Sequence, residues 1–318
     1  MQNIWTKLNK PTYALAPMED ATDTVFRQIV AELGKPDLFF TEFTNVEGLI
    51  SEKGFKNVSR RLKFTKNEKP IIAQIWGINP SDFTKTAQLI KKMGFDGIDL
   101  NMGCPERKVI KTGACSALIK NKKLAGDIIN NTKKGSGGLP ISVKTRLGFD
   151  EIDMSWITFL LEQDIAALTV HLRTVKEMSD VPAHWDEMEK IVNLKNNISP
   201  HTLIIGNGDI KDLNESKNMT DRYKIDGVMI GRGIFTNPWL FNKKIEITAI
   251  SKQNRINVLK KHITLFDKTY KEQKNYNTLK KYYKIYISNF EGASELRVEL
   301  MNTKSCDEAL SIISNLES

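Results

Sequence analysis

The chain has 318 residues, 40% of them hydrophobic, which is enough to bury one large core or a large domain with a smaller one. No segment is apolar over the length that a membrane span needs, no secretory signal opens the chain, and no CxxC or HExxH pair indicates a zinc site, so we expect a cytoplasmic protein without a metal. The formal net charge of +9 and the pI near 9.2 predict a polyanionic partner.

Short β-rich apolar runs alternate with helical patterns along the first three quarters of the chain. Helical spacing of apolar residues is clear in "DTVFRQIVAEL", "PSDFTKTAQLIKKMG" and "MSWITFLLEQD". Strict alternation of strands and helices indicates a parallel sheet, and eight such units in about 240 residues predict a (β/α)8 TIM barrel over residues 1–241. The eight strand runs are "TYALAPM", "DLFFTEF", "PIIAQIWG", "GIDLNMG", "PISVKTR", "ALTVHLR", "TLIIGNG" and "GVMIGRG".

Polar residues close each of these runs. The carboxyl ends of barrel strands meet at one rim, where active sites of this architecture are built. Any one such residue could simply cap its strand, but the full set predicts a pocket at the rim. Its members are Met18–Glu19, Glu42, Gln74, Asn101, Lys144–Arg146, His171–Arg173, Asn207–Asp209 and Gly231–Arg232.

Glycines stand at the tips of the seventh and eighth strands, in "GNGD" and "GRG". Such barrels often bind phosphate there, because glycine lets backbone N–H groups approach an anion closely. A helix starting at "IFTNPWLF" would direct its positive end at the same anion. No GxGxxG opens a helix after the first strand, so a Rossmann domain is not indicated.

The chain after Phe241 shows no further strand pattern. The stretches "INVLKKHITLFDKTYKEQ", "NTLKKYYKIYISNF" and "CDEALSIISNL" read as helices and predict a small all-helical C-terminal domain over residues 242–318. Between Lys252 and Lys284, ten basic residues stand against two acidic ones, a net charge of +8. Interleaved tyrosines would suit an RNA-binding surface, but solvated lysines around a packed aromatic core explain the pattern equally well.

Several of these motifs together resemble the tRNA-dihydrouridine synthases, flavoenzymes that reduce specific uridines in transfer RNA. The catalytic segment of that family is similar to "NMGCPERKVIKTGACSAL", and its lysine strand is similar to "SVKTRLGFDE". Further matches are "LAPMEDATD", "TVHLRT", "GNGDI", "DGVMIGRG" and, in the tail, "KKYYKIYISNFEGASELR".

The resemblance implies a catalytic role for Cys104, which lies between Gly103 and Pro105 just beyond an apolar strand. A thiol with an ordinary pKa of about 8.5 can act as a general acid near neutral pH. By resemblance, Cys104 protonates C5 of uracil while reduced FMN delivers hydride from N5 to C6, with NADPH as the reductant. Cys115 and Cys306 are expected to be buried packing residues.

The resemblance also implies FMN contacts. Lys144 would stabilise negative charge on the reduced flavin, and the segment after the seventh and eighth strands would hold its phosphate. The predicted cofactor residues are Pro17, Met18, Glu19, Gln74, Lys144, His171, Asn207, Gly208, Asp209, Gly231 and Arg232.

For the substrate, a transfer RNA, we predict contacts from Asn101, Arg146 and Arg173 at the rim and from Lys280, Lys281 and Arg297 in the tail. Two alternatives remain open at this point. A flavin-dependent barrel reductase could act on ribosomal RNA uridine or on a small pyrimidine or enone, and an RNA-binding protein could keep a barrel without catalysis. We expect a monomer.

Overall fold

The computed structural model of the protein describes residues 3–316, apart from the side chain of Glu272. Nine parallel strands form one sheet in this part of the chain. They are β1 (Thr12–Leu15), β2 (Phe39–Phe40), β3 (Thr44–Asn45), β4 (Ile71–Trp76), β5 (Gly97–Met102), β6 (Ile141–Arg146), β7 (Ala167–His171), β8 (Leu203–Asn207) and β9 (Gly227–Ile230).

The sheet closes into a barrel. Its strand order is β1-β9-β8-β7-β6-β5-β4-β2, and a parallel bridge between Ala14 and Leu38 joins the two ends. Within the second predicted run, "DLFFTEF", only β2 is a strand, and β3 follows just after it; both pair with β4. The predicted TIM barrel is therefore confirmed, with all strand carboxyl ends at one rim.

Helices cover the outside of the barrel and form the tail. The three helices predicted from spacing in the barrel are confirmed as α1, α4 and α7. The helices are α1 (Thr24–Leu33), α2 (Val46–Ile50), α3 (Glu52–Val58), α4 (Pro80–Met93), α5 (Arg107–Lys111), α6 (Lys122–Ser136), α7 (Met154–Leu161), α8 (Met188–Ile198), α9 (Leu213–Tyr223), α10 (Lys252–Tyr270), α11 (Tyr283–Tyr286), α12 (Ala293–Asn302) and α13 (Cys306–Asn315).

Local sequence explains where these helices begin and end. The Asp23 carboxylate accepts the N–H of Phe26 and so caps the start of α1. At α4, Pro80 occupies the first turn, where its missing N–H costs nothing, and Gly94 ends the helix in the left-handed region with φ +81°.

Two helix predictions are wrong. Only a 3₁₀ turn, Arg232–Phe235, follows β9 instead of the helix expected from "IFTNPWLF", because the residue before Pro238 is disfavoured in the α region. The single helix expected over 277–290 is divided into 3₁₀ turns and the short α11. Buried residues there are nearly consecutive (282, 283, 285, 286 and 287), which is too wide an apolar surface for one helix face.

The tail packs on the barrel through α10, which contacts α1. Four of the five tyrosines of the tail, Tyr270, Tyr282, Tyr283 and Tyr286, are buried core residues, and Tyr276 is partly exposed. The Tyr282 ring stacks on Phe26 of α1 with ring centroids 5.0 Å apart. Among residues 3–316, no helix combines the length and the apolarity that crossing a bilayer requires.

Candidate active site

A cavity of about 900 Å³ lies at the carboxyl ends of the barrel strands. Most of the predicted site residues line it, although they come from the ends of seven separate strands. Those lining the cavity are Pro17, Met18, Gln74, Asn101, Cys104, Lys144, Arg146, His171, Arg173, Asn207, Gly208, Asp209, Gly231 and Arg232. Parallel register explains the grouping, since Asn101 pairs with Lys144 across β5–β6 and His171 with Asn207 across β7–β8.

Cys104 lies on a loop that is fixed from several sides. The Asn101 side-chain oxygen accepts the backbone N–H groups of Gly103 (3.1 Å) and Cys104 (3.0 Å). Arg146 Nε donates to the Gly103 carbonyl at 2.9 Å, and Ser116 Oγ donates to the Cys104 carbonyl at 2.7 Å. Asn101 and Arg146, both predicted to contact the substrate, therefore hold the loop that positions the thiol.

The Cys104 thiol is more acidic than an ordinary cysteine. Its pKa is lowered to about 7, chiefly by a hydrogen bond from the Cys115 thiol, which outweighs the effect of burial. Burial, and then the same contact, raise the pKa of Cys115, so the proton between the two sulfurs stays on Cys115. Cys115 and Cys306 are buried, as expected from the sequence.

A buried hydrogen-bond chain under the cavity was not identified from the sequence. Asp99 on β5 is fully buried, accepts from Ser142 Oγ at 2.6 Å and from Gln74 Nε2 at 2.7 Å, and burial raises its pKa to about 6. Gln74 Oε1 in turn accepts from Asn101 Nδ2 at 3.0 Å. The side-chain amides of Gln74 and Asn101 are thereby oriented by a series of hydrogen bonds that runs from Asp99 to the Cys104 loop. The sequence did offer one signal of this network, because Asp99 is a charged residue within the apolar run "GIDL".

Lys144 borders the cavity with its ammonium group unpaired, since no hydrogen bond or ion pair of this side chain occurs within residues 3–316. Burial lowers its pKa to about 8, partly opposed by Asp99. A cation in this position costs free energy unless an anion accompanies it. The site therefore fits an anionic ligand whose charge lies over β6.

His171 and Arg173 form a second polar group on the cavity wall. Arg173 Nη1 donates to His171 Nε2 at 3.0 Å, so that nitrogen accepts and the imidazole is neutral. Burial lowers the pKa of His171 well below its usual value. Arg173 also pairs with Asp209 and donates to the Val181 carbonyl at 2.6 Å, so its guanidinium is largely engaged in holding the wall.

The glycine-rich end of the cavity suits a phosphate. Gly208 has φ +136°, which favours glycine, and a side chain there would meet Ala183 at 2.7 Å. Asn207 Nδ2 donates to the Met229 carbonyl at 2.8 Å and fixes the adjoining backbone. The Arg232 side chain is 67% exposed and only loosely paired with Asp209 at 3.4 Å, which leaves it available to an anion. Arg232, the glycines at this end and Lys144 together fit a cofactor that carries a phosphate and a delocalised negative charge.

Glu19 lies outside this cavity. It borders a neighbouring cavity of about 500 Å³ that shares Phe43, Cys104 and Pro105 with the first. Its carboxylate pairs with Arg61, with Nε at 2.7 Å from Oε1, while Oε2 is buried without a partner within the described residues.

The predicted tail residues do not reach the cavity. Lys280 Nζ donates to the Met301 carbonyl at 2.8 Å, and Arg297 Nη1 donates to the Ile287 carbonyl at 2.7 Å, so both brace the tail. Lys281 Nζ donates to the carbonyl of Asp20 on the barrel. These side chains remain exposed or partly exposed.

Comparison with known proteins supports one family. Residues 14–317 match the model of the family described as dihydrouridine synthase (Dus). A protein of Staphylococcus aureus (strain COL), described as a probable tRNA-dihydrouridine synthase, is 48% identical over 99% of this chain and 96% of the relative. Probable tRNA-dihydrouridine synthase 2 of Bacillus subtilis (strain 168) is 46% identical over 99% of this chain and 97% of the relative.

Solved structures agree with the barrel fold. Morphinone reductase superposes with a TM-score of 0.51 at 13% identity, over 73% of this chain and 84% of that protein. A 2-naphthoyl-CoA reductase superposes with a TM-score of 0.54 at 11% identity, over 73% of this chain and 49% of the other. The match along almost the whole sequence, together with the cysteine loop and lysine strand at one rim, places this chain in the dihydrouridine synthase family.

Proposed function

We propose that the protein is a tRNA-dihydrouridine synthase, an FMN-dependent oxidoreductase that uses NADPH to reduce the 5,6 double bond of specific uridines in the D loop of transfer RNA. The descriptions of its relatives support the substrate, since two of them are named as probable tRNA-dihydrouridine synthases at 46–48% identity. The basic tail is consistent with a polyanionic partner.

The observation that carries the proposal is the placement of Cys104 and Lys144 in one cavity. The thiol has a pKa near 7, which matches a general acid at neutral pH, and the unpaired ammonium matches an anionic cofactor. A cavity built only to bind RNA would need neither an acidic thiol nor a buried cation.

Each side chain has a distinct task in the proposed reaction. Bound FMN, once reduced by NADPH, would supply hydride for C6 of the uracil. Cys104 would give its proton to C5, and the hydrogen bond from Cys115 would stabilise the resulting thiolate. Lys144 would stabilise the negative charge on the cofactor, and neutral His171 would line it without adding charge.

The remaining cofactor contacts follow from their places on the wall. Pro17, Met18 and Gln74 would lie along the ring system, whereas Glu19 borders the neighbouring cavity, where it pairs with Arg61. The phosphate would be held by the residues at the ends of β8 and β9: Asn207, Gly208, Asp209, Gly231 and Arg232.

For the RNA we propose two kinds of contact. Asn101, Arg146 and Arg173 would border the uracil, which must leave its stack to enter the cavity, at a cost of a few kcal/mol. Lys280, Lys281 and Arg297 would lie near the phosphate backbone. In this scheme residues 1–241 are the catalytic barrel and residues 242–318 the RNA-binding domain of a monomer; positions 1, 2, 317 and 318 lie outside the described residues.

The test is the purified protein with FMN, NADPH and unmodified transfer RNA, with dihydrouridine mapped by position. New dihydrouridine in the D loop is the expected result. If the flavin is bound and reducible but transfer RNA stays unmodified, the substrate is ribosomal RNA uridine or a small pyrimidine or enone instead. A protein that binds RNA and no flavin would contradict the enzymatic proposal altogether.

A further inference from the structure

A tight turn after β1 carries part of the cavity wall. Pro17 and Met18 line the cavity, and the chain then reverses so that the N–H groups of Ala21 and Thr22 donate to the Met18 carbonyl at 3.1 and 3.0 Å. Thr22 Oγ1 accepts the Met18 N–H at 2.8 Å. Because these bonds join the two ends of the turn, a shift of its tip carries Met18 with it.

The tip of this turn is held by the C-terminal tail. Tyr282 Oη donates to the Ala21 carbonyl at 2.6 Å, and Lys281 Nζ donates to the Asp20 carbonyl. Lys274 Nζ pairs with Asp23 at 2.7 Å, with both side chains less than 10% exposed. The contacts span more than 250 residues of sequence.

The barrel accepts a backbone N–H of the turn, whereas the tail donates to its backbone carbonyls. Glu42 on the barrel accepts the Asp20 N–H at 2.7 Å, whereas the Asp20 and Ala21 carbonyls are satisfied by the tail. The Tyr282–Ala21 bond is partly shielded from water, so loss of the tail contacts would leave these carbonyls to water and favour a different turn.

We propose that Tyr282, Lys281 and Lys274 are positioning residues for the catalytic cavity, so that the C-terminal tail holds the Pro17–Met18 wall in the conformation that binds the cofactor. This rests on the proposed flavin function. The helical tail then has a second role besides any contact with RNA, because within residues 3–316 the donors to the Asp20 and Ala21 carbonyls come from the tail.

The experiment compares Tyr282→Phe with Tyr276→Phe, each of which removes one phenol hydroxyl from the tail. Phenylalanine at 282 keeps the ring that stacks on Phe26, and the Tyr276 hydroxyl bonds within the tail to Tyr283 and Thr303. We expect the FMN dissociation constant, measured by flavin fluorescence, to rise about fivefold in Tyr282→Phe, as loss of one hydrogen bond allows. Tyr276→Phe should bind FMN like the unmodified protein.

A second readout does not depend on flavin. Hydrogen exchange of the peptide covering residues 17–23 in the apoprotein should be faster in Tyr282→Phe, and faster again when Lys281→Met is added, but not in Tyr276→Phe. Equal effects of both tyrosine variants, or none in either, would overturn the positioning role. Absence of FMN binding by the unmodified protein would contradict the proposed function, while the exchange result would still decide the role of the tail.

Discussion

Replacing Cys115 by alanine tests whether the thiol pair sets the acidity of Cys104. Cys115 has φ +53°, and alanine carries the same Cβ there, so backbone strain is unchanged while the hydrogen bond to Cys104 is lost. The Cys104 pKa should then rise from about 7 to at least about 8.5, the ordinary value, because burial raises it further. At pH 7 the thiolate fraction falls about 15-fold, but each thiolate is about fivefold more nucleophilic, so alkylation slows only about threefold.

The assay is the rate of iodoacetamide alkylation from pH 5.5 to 9.5, followed by mass spectrometry of the peptide that contains Cys104. The midpoint of the profile should move up by about 1.5 pH units in Cys115→Ala. Cys306→Ala is the matched control, because that thiol is buried in α13 and burial raises its pKa to about 11. A midpoint that stays near 7 in Cys115→Ala would refute the reasoning.

Three other predictions concern the acid, the tail and a buried carboxyl. Cys104→Ala should keep FMN and RNA affinity while turnover falls about 10²- to 10⁴-fold in single-turnover assays; full turnover would exclude the general-acid role. Lys268→Glu on the exposed face of α10 should weaken RNA binding about three- to tenfold and lower the salt dependence in filter binding, whereas Lys217→Glu on α9 should not; equal losses would indicate nonspecific attraction. Burial, helped by Asp23, raises the pKa of Glu42 to about 7, above its unfolded value, so the native state binds the extra proton and stability falls as pH rises from about 4.3 to 7. Urea unfolding should show the unmodified protein losing about 3 kcal/mol more than Glu42→Gln over this window, and parallel curves would contradict that assignment.

The barrel and most of its rim could be predicted because a repeating pattern determines them. Alternating strands and helices permit few topologies, and parallel strands place their carboxyl ends together regardless of how the side chains pack. Gln74, Lys144, His171 and Asn207 therefore meet in one cavity although more than 130 residues separate the first from the last. The family motifs added Cys104, whose position after "NMG" is local to one loop.

The partners of these side chains were decided by the tertiary structure. A strand pattern tells which face a residue occupies, but not that Arg146 and Asn101 hold the Cys104 loop, or that Asp99 orients Gln74. In the tail, charge and aromatic content could not separate an RNA surface from a packed core. In the structure Tyr282 is buried and Lys274 pairs with Asp23. The partners of long side chains are residues that tertiary packing brings close, and these are often distant in sequence.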